Sequence, residues 1–514
     1  MSTRKTLVID LFAGPGGLGE GISSCKDKNG NYLFEIGVSV EKEISAHTTL
    51  TTRAFYRKIK DNSTALKNYF SYLDGSISRQ ELFNLYPEES QRTIEETLNE
   101  PRALGEDNDL IHKRIADLVK KHEGPKIVIG GPPCQAYSLA GRSRNAGIEG
   151  YKSEDDHRNY LYLEYLKVLC IAQPEVFVME NVRGILSAKV NGEVIFPKIL
   201  EDLSSPGRVT KKKGIKGYKI YSLATEAEDP LNPSHPNSSD YLIRSELYGI
   251  PQARHRVILL GVRDDITKTP KTLKSADKLV TVDQVISDLP ALRSGLSKRK
   301  DVTVDWEKTV RKHEKRLTEI LYKKFDTDAV KNIELKPIRN LKRKEKNPHL
   351  KSTIKAPRGL KSWYRSKAPK IVLNHDTRGH IESDLLRYAF SAAYTKLSGG
   401  TSPKARDFPA VLAPKHENWN SGSHADRFRT QAANKPSTTV TSHISKDGHY
   451  FIHYDPRQCR SLTVREVARL QTFPDNYFFE GNRTQQYVQV GNAVPPFLAQ
   501  QIGVIVMELL SRSE

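Results

Sequence analysis

The chain has 514 residues, enough for a large α/β domain and at least one further domain. Lys and Arg number 81 against 61 Asp and Glu, and the formal charge of +20 points toward a polyanion, nucleic acid first. Four cysteines with no CxxC pair argue against a disulfide framework or a thiolate zinc site, and the scattered histidines, His375 and His380 among them, lack metal-ligand spacing.

A strand-like run, Thr6 to Asp10, begins almost at once with no leader pattern before it. No apolar stretch approaches the ~20 residues needed to cross a bilayer, so a soluble protein is expected. Short apolar runs follow at Leu7–Asp10, Phe34–Glu41, Lys126–Gly130, Val176–Glu180 and Val257–Gly261, and they read as buried parallel strands. Tyr160–Ala172 reads as a helix whose Leu161, Tyr165, Val168 and Leu169 share a face. Strand and helix in alternation predict an α/β fold, a doubly wound, mostly parallel sheet with ligands beyond the carboxyl ends of its strands.

The region from about Arg53 to Gly124 interrupts this rhythm as a polar, helical insertion, with Ser78 to Glu81 reading as a capping box. Lys336 to Lys370 is dense in Lys and Arg around Trp363 and Tyr364. From there to Gln458 the chain reads as loops and short strands, with Tyr388, Phe390, Trp419, Phe428 and Phe451 as anchors that a disordered linker lacks. The α/β pattern resumes with a helix over Ser461–Leu470 and a final apolar helix through Ile502, Val506 and Leu509. The expected division is 1–262 catalytic, with its insertion at 53–124, then 263–458 as a smaller, irregular recognition domain. The segment 459–514 is expected to return to the first domain.

The residues after each run carry the chemistry. Asp10 to Gly19 forms a Gly-rich turn where backbone can approach a ligand, although its spacing is not that of a dinucleotide site and a purely structural turn reads equally well. Glu41 ends the second strand, where an acid can accept both hydroxyls of a ribose; a plain helix-entry charge is the alternative. Cys134 follows Gly131, Pro132 and Pro133 on a stiff turn, which argues against an inert buried thiol and for an accessible nucleophile. Glu180 closes an apolar strand, and an unpartnered carboxyl there favours the protonated acid, able to donate a hydrogen bond; a surface salt bridge is the alternative. Arg254 and Arg256 alternate before a strand and point to one side, suited to clamping an anion or a base carbonyl.

In this order the segments resemble the C5-cytosine DNA methyltransferases: DLFAGPGG (Asp10–Gly17), PPCQ (Pro132–Gln135), ENV (Glu180–Val182) and GIPQARHRV (Gly249–Val257). RSLTVREVARLQTFPD (Arg460–Asp475) and GNAVPP (Gly491–Pro496) complete the set. The resemblance implies a Rossmann-like S-adenosylmethionine-dependent methyltransferase fold acting on double-stranded DNA. S-adenosylmethionine would be held by Phe12, Ala13, Gly14, Pro15, Gly17, Leu18, Glu41, Pro132, Asn492 and Val494. Cys134 would attack C6 of a flipped cytosine, with Glu180, Arg254 and Arg256 as the other catalytic residues. It further implies the modification enzyme of a restriction–modification system, a cytoplasmic, nucleoid-associated monomer of a bacterium or archaeon with a separate cognate endonuclease. Three departures stand out. The residue contacting adenine is unassigned, with Asp107 and Asp109 as candidates; Tyr137 replaces the more usual Phe; and the recognition region matches nothing readable. A non-catalytic relative, a tRNA-methylating enzyme and an amino-group methyltransferase are the competing readings. The first predicts loss of Cys134 or Glu180, the second lacks a large basic recognition region, and the third would put an acidic or polar residue at position 131.

Overall fold

The computed structural model describes residues 5–133, 160–190, 192–344, 353–414, 419 and 426–511; Cys134 and Tyr137 lie outside them. Two compact units divide the chain: Met1–Tyr248 with Arg254–Ala276 and Ala493–Glu514, and Gly249–Ala253 with Asp277–Asn492.

The first unit is built on a seven-stranded sheet. Its strands are β1 (Thr6–Leu11), β2 (Phe34–Val40), β3 (Lys126–Gly130), β4 (Val176–Val182), β5 (Tyr218–Ser222), β6 (Leu242–Arg244) and β7 (His255–Arg263). They run in the order β2-β1-β3-β4-β7-β5, with β6 also paired to β7. Every residue of β1 is buried, as a central strand covered on both faces requires. The chain places β2 on one side of β1 and β3 on the other, so the crevice of a topological switch point opens beyond the ends of β1 and β3.

The pairs β1–β2, β1–β3 and β3–β4 are parallel, as expected, but β7 runs antiparallel to β4. An apolar run buried on both faces carries no mark of its direction, which explains the difference. The reversal has a consequence for the site. With Ile258 opposite Glu180 and Arg256 opposite Val182, the start of β7 lies at the carboxyl end of β4. A parallel strand would have carried its arginines to the far edge.

Helix α1 (Gly17–Ser23) follows the Gly-rich turn. Five helices then separate β2 from β3: α2 (Ile44–Ile59), α3 (Ser63–Leu73), α4 (Arg79–Leu85), α5 (Pro87–Glu96) and α6 (Asn108–Lys121). The Ser78 and Glu81 capping box is present, with Glu81 N donating to Ser78 Oγ at 3.1 Å and Ser78 N to Glu81 Oε2 at 2.7 Å. Buried ion pairs knit these helices together. Arg53 of α2 meets Glu20 of α1 at 2.5 Å, and Arg57 and Lys58 both hold Glu96 of α5. Helix α7 (Tyr160–Ala172) buries Leu161, Tyr165, Val168 and Leu169, each worth about 1.5–3 kcal/mol of apolar transfer.

The C-terminal stretch Arg483–Leu510 is long and apolar enough to cross a membrane, although about half of its most apolar window is buried within the protein. It comprises two helices, Arg483–Asn492 and Pro496–Leu510. The second, at 15 residues, spans roughly 22 Å and seats its apolar face on α1. It is a core helix of the first unit.

The second unit holds more helix than its loop-rich sequence suggests. Thr303–Tyr322 runs for 20 residues and Glu382–Leu397 for 16. Trp306, Leu317 and Leu321 from the first pack with Leu385, Tyr388 and Phe390 from the second, and Phe428 joins the same core. The helix expected over Ser461–Leu470 begins at Val464, because Thr463 is its N-cap. Glu466 N donates to Thr463 Oγ1 at 3.2 Å, and Thr463 N donates to Glu466 Oε2 at 2.7 Å. Trp363 and Tyr364, from the basic run, donate to the carbonyls of Thr472 and Arg469 and so act as anchors.

Candidate active site

The turn after β1 is unusual in its backbone. Phe12 has φ 54° and Gly14 has φ 57°, followed by Gly16 at φ 90° as the N-cap of α1. Left-handed geometry at a non-glycine residue is costly and concentrates at ligand sites. Ala13 N donates to the Val40 carbonyl at 3.0 Å, and Gly14 N donates to Glu41 Oε2 at 2.8 Å. Glu43 N satisfies the other oxygen of Glu41 at 2.7 Å. Glu41 therefore bridges the ends of β1 and β2, each oxygen oriented by a backbone donor with lone pairs to spare. Burial raises its carboxyl above the usual range, and the donors from Glu43 and Gly14 oppose the rise.

Gly17 opens α1 against the other end of the chain. A Cβ there would stand 2.3 Å from the Val494 carbonyl oxygen, so only glycine permits this approach. Pro15 and Leu18 are buried beside it, whereas Asn492 is exposed at the end of its helix in the second unit. Of the two candidates for the adenine contact, Asp107 accepts from Ala103 N at 2.8 Å and Asp109 is exposed on α6. Arg102 N donates to the Glu41 carbonyl at 2.9 Å, so the segment ahead of Asp107 borders the Glu41 turn.

The ends of β3 and β4 form a second cluster. A Cβ on Gly131 would lie 2.8 Å from the Glu180 carbonyl and 3.0 Å from its Oε2. Asn181 Nδ2 donates to the buried Pro132 carbonyl at 3.1 Å, which fixes the start of the Pro132–Pro133 segment. Glu180 is not the isolated acid that its sequence position suggests, because Arg256 Nε lies 2.9 Å from Oε1. Arg254 sits just ahead of β7 and is 1 % exposed. Burial pulls its guanidinium well below the usual range, Arg256 adds to the fall, and Glu180 opposes it. The structure thus brings together Gly131, Pro132, Glu180, Arg254 and Arg256.

Two residues here escape a reading of the sequence. Asn181 is visible only as a neighbour of Glu180, yet it ties the two strand ends together. Asp10 lies under α1 with its Oδ2 2.6 Å from where a Gly19 Cβ would stand, and neither oxygen has a hydrogen-bond partner among the described residues. Burial pushes its carboxyl up to about 8, Arg57 opposes the rise, and Glu96 and Glu41 add to it. The motif Arg460–Asp475 plays a different part. Arg460 pairs with Glu466 at 2.7 Å, and Arg469 with Asp288 at 2.5 Å and Asp475 at 2.9 Å, all inside the second unit.

The first unit is thus a doubly wound sheet with two loaded strand ends at its switch point. The fold matches a prophage-encoded DNA modification methyltransferase of E. coli with a TM-score of 0.51 at 18% identity, over 99% of this chain and 100% of that one. The description "C-5 cytosine-specific DNA methylase" matches residues 88–507. The type II methyltransferase M.Bpa9945I of Bacillus paralicheniformis is 33% identical over 98% of this chain and 99% of its own length. The DNA (cytosine-5-)-methyltransferase M.ApeKI of Aeropyrum pernix is 25% identical over 75% of this chain and 81% of its own. This chain belongs to the C-5 cytosine-specific DNA methylase family, and it is a DNA (cytosine-5-)-methyltransferase.

Proposed function

We propose that the enzyme moves a methyl group from S-adenosylmethionine to C5 of a cytosine swung out of double-stranded DNA, with Cys134 as covalent nucleophile. The observation that carries this reading is the convergence on Glu180. Gly131 lies against it, Asn181 beside it holds Pro132, and Arg256 binds its carboxylate. Pro132 and Pro133 lead from that anchored point directly into Cys134. The other cysteines are poor rivals: Cys25, Cys170 and Cys459 are buried, and burial raises all three thiols, Cys25 to about 12.

The first cluster fits the cofactor. Glu41 offers oriented acceptors to ribose hydroxyls, and the half-buried residues Phe12 to Gly14 lie beside it. Gly17 and Leu18, with Val494 opposite, close one wall, and Pro132 lies on the β3 side. When bound, S-adenosylmethionine supplies an electrophilic methyl group on its sulfonium.

The protein's own residues do the rest. Swinging the base out costs a few kcal/mol of unstacking. The Cys134 thiolate adds to C6, while Glu180 engages the N3 and amino edge and balances charge developing on the ring. Arg256 orients Glu180, and Arg254 lends positive charge to the same pocket. Once C5 has gained its methyl, loss of the C5 proton to a base expels Cys134 as thiolate and restores the ring. A thiolate serves as both a better nucleophile and a better leaving group than an alkoxide.

The second unit supplies target recognition in this reading, with base-reading side chains between 263 and 458. The relatives' type II names extend the proposal to the modification half of a restriction–modification system, a cytoplasmic monomer with a separate endonuclease. The test is to incubate the enzyme with tritiated S-adenosylmethionine and either unmethylated duplex DNA or tRNA, in parallel, then digest and chromatograph the nucleosides. Label is expected in 5-methyldeoxycytidine. Label at the N4 position, or in tRNA alone, overturns the proposal.

A further inference from the structure

Within the second unit a cavity of about 420 Å³ is lined by Arg293, Lys342, Arg343 and Lys344, with Asp301 and Asp376 at its wall. Both acids are already engaged. Asp301 pairs with Arg293 at 2.7 Å and Asp376 with Arg483 at 2.9 Å. Those pairs cancel and leave the charges of Lys342, Arg343 and Lys344, for which no ion pair is found among the described residues.

The cations stand on a fixed backbone. Arg293, 2 % exposed, donates its N–H to the Lys342 carbonyl at 3.0 Å and its Nε to the Leu341 carbonyl at 3.0 Å. Thr377 N donates to the Arg343 carbonyl at 3.1 Å, and an Arg343 guanidinium nitrogen returns to the Thr377 carbonyl at 2.8 Å. The Arg343 guanidinium packs on Gly295, where a Cβ would stand 2.8 Å from its Cζ. Thr303, the first residue of the 20-residue helix, opens onto the same cavity, and no side chain caps that helix. Its amide dipoles add positive potential.

We propose that this cavity seats a backbone phosphodiester of the DNA substrate, and so positions the duplex without reading its bases. The ligand class follows from the chemistry: convergent guanidinium and ammonium groups with surplus positive charge match an oxyanion. The space admits a phosphate with its flanking sugar. The inference rests on the reading that this enzyme acts on duplex DNA.

The experiment is a salt titration of duplex binding by the full chain, wild type against Lys342→Gln/Lys344→Gln. Both lysines are exposed, so the fold should survive. The slope of log K against log salt should fall by about 1 for each phosphate that the variant no longer neutralises. In turnover, KM for DNA should rise about 3–10-fold, with kcat and cofactor KM unchanged. Arg343→Gln should act in the same direction. At matched ionic strength, inorganic phosphate should weaken duplex binding by wild type more than by the double variant. A double variant with wild-type slope and DNA KM overturns the proposal. So does tight phosphate binding in the cavity that duplex DNA does not displace, which would assign the site to a free anion. The binding arm needs no turnover, so a wild type that binds DNA but transfers no methyl counts against the proposed reaction and not against the cavity.

Discussion

In the first unit Glu180 meets Arg256 at 2.9 Å with both side chains 16 % exposed; in the second, Glu466 meets Arg460 at 2.7 Å with both at 1 %. The chemistry of the two pairs is the same and their surroundings are opposite. Around Glu466 every polar group is occupied. Arg460 also donates to Gln458 and to the carbonyls of Leu292 and Ser461, and Glu466 caps its own helix through Thr463. Burial pushes the Glu466 carboxyl up, but Arg460 more than offsets it and holds it well below the usual range. Around Glu180 the pair keeps part of its surface exposed, beside Gly131 at the end of β3. Both motifs stand out in the sequence, and access to the side chains is what separates them.

The largest expected effect is on turnover. Glu180→Gln keeps the shape and removes the charge, so kcat should fall about 10²–10⁴-fold. Its unfolding midpoint should move less than that of Glu466→Ala. A variant that loses stability and keeps its specific activity would make Glu180 a second Glu466. The second effect is on stability. Glu466→Ala strands Arg460 in the core and should cost about 3–5 kcal/mol in urea unfolding; a loss below about 1 kcal/mol would mean the buried network is dispensable.

The smallest effect concerns Asp10, a buried acid with no hydrogen-bond or ion-pair partner among the described residues. Its carboxyl titrates near 3.8 when ordinary and at about 8 in the fold. Between those values the folded chain keeps a proton that the unfolded chain has lost, so stability falls as pH rises through this window. Asp10→Asn should remove that dependence, raising the melting temperature by a few degrees at pH 8 and hardly at pH 4. An equal shift at both pH values would contradict the assignment.

The central strands were legible because Leu7 to Asp10 and Lys126 to Gly130 are apolar runs ending in turn residues, and the strand ends named the side chains that the fold brings together there. The direction of β7 was not, since a run buried on both faces looks the same either way. Strand β5, Tyr218–Ser222, escaped because its Lys219 interrupts a very short apolar pattern. The helix Thr303–Tyr322 hid its buried Trp306, Val310, Leu317 and Leu321 among many charged residues. Arg256 as the partner of Glu180 required the antiparallel register, and Asp10's burial required the third dimension. Neither lies in local spacing.

The most direct test of the central claim is trapping with a duplex carrying 5-fluorocytosine, whose fluorine cannot leave as the C5 proton does. With S-adenosylmethionine present, the wild-type enzyme should form an adduct that survives denaturing electrophoresis and maps to Cys134. Cys134→Ala should form none, and Glu180→Gln should form it slowly. An adduct that persists in Cys134→Ala would contradict the account.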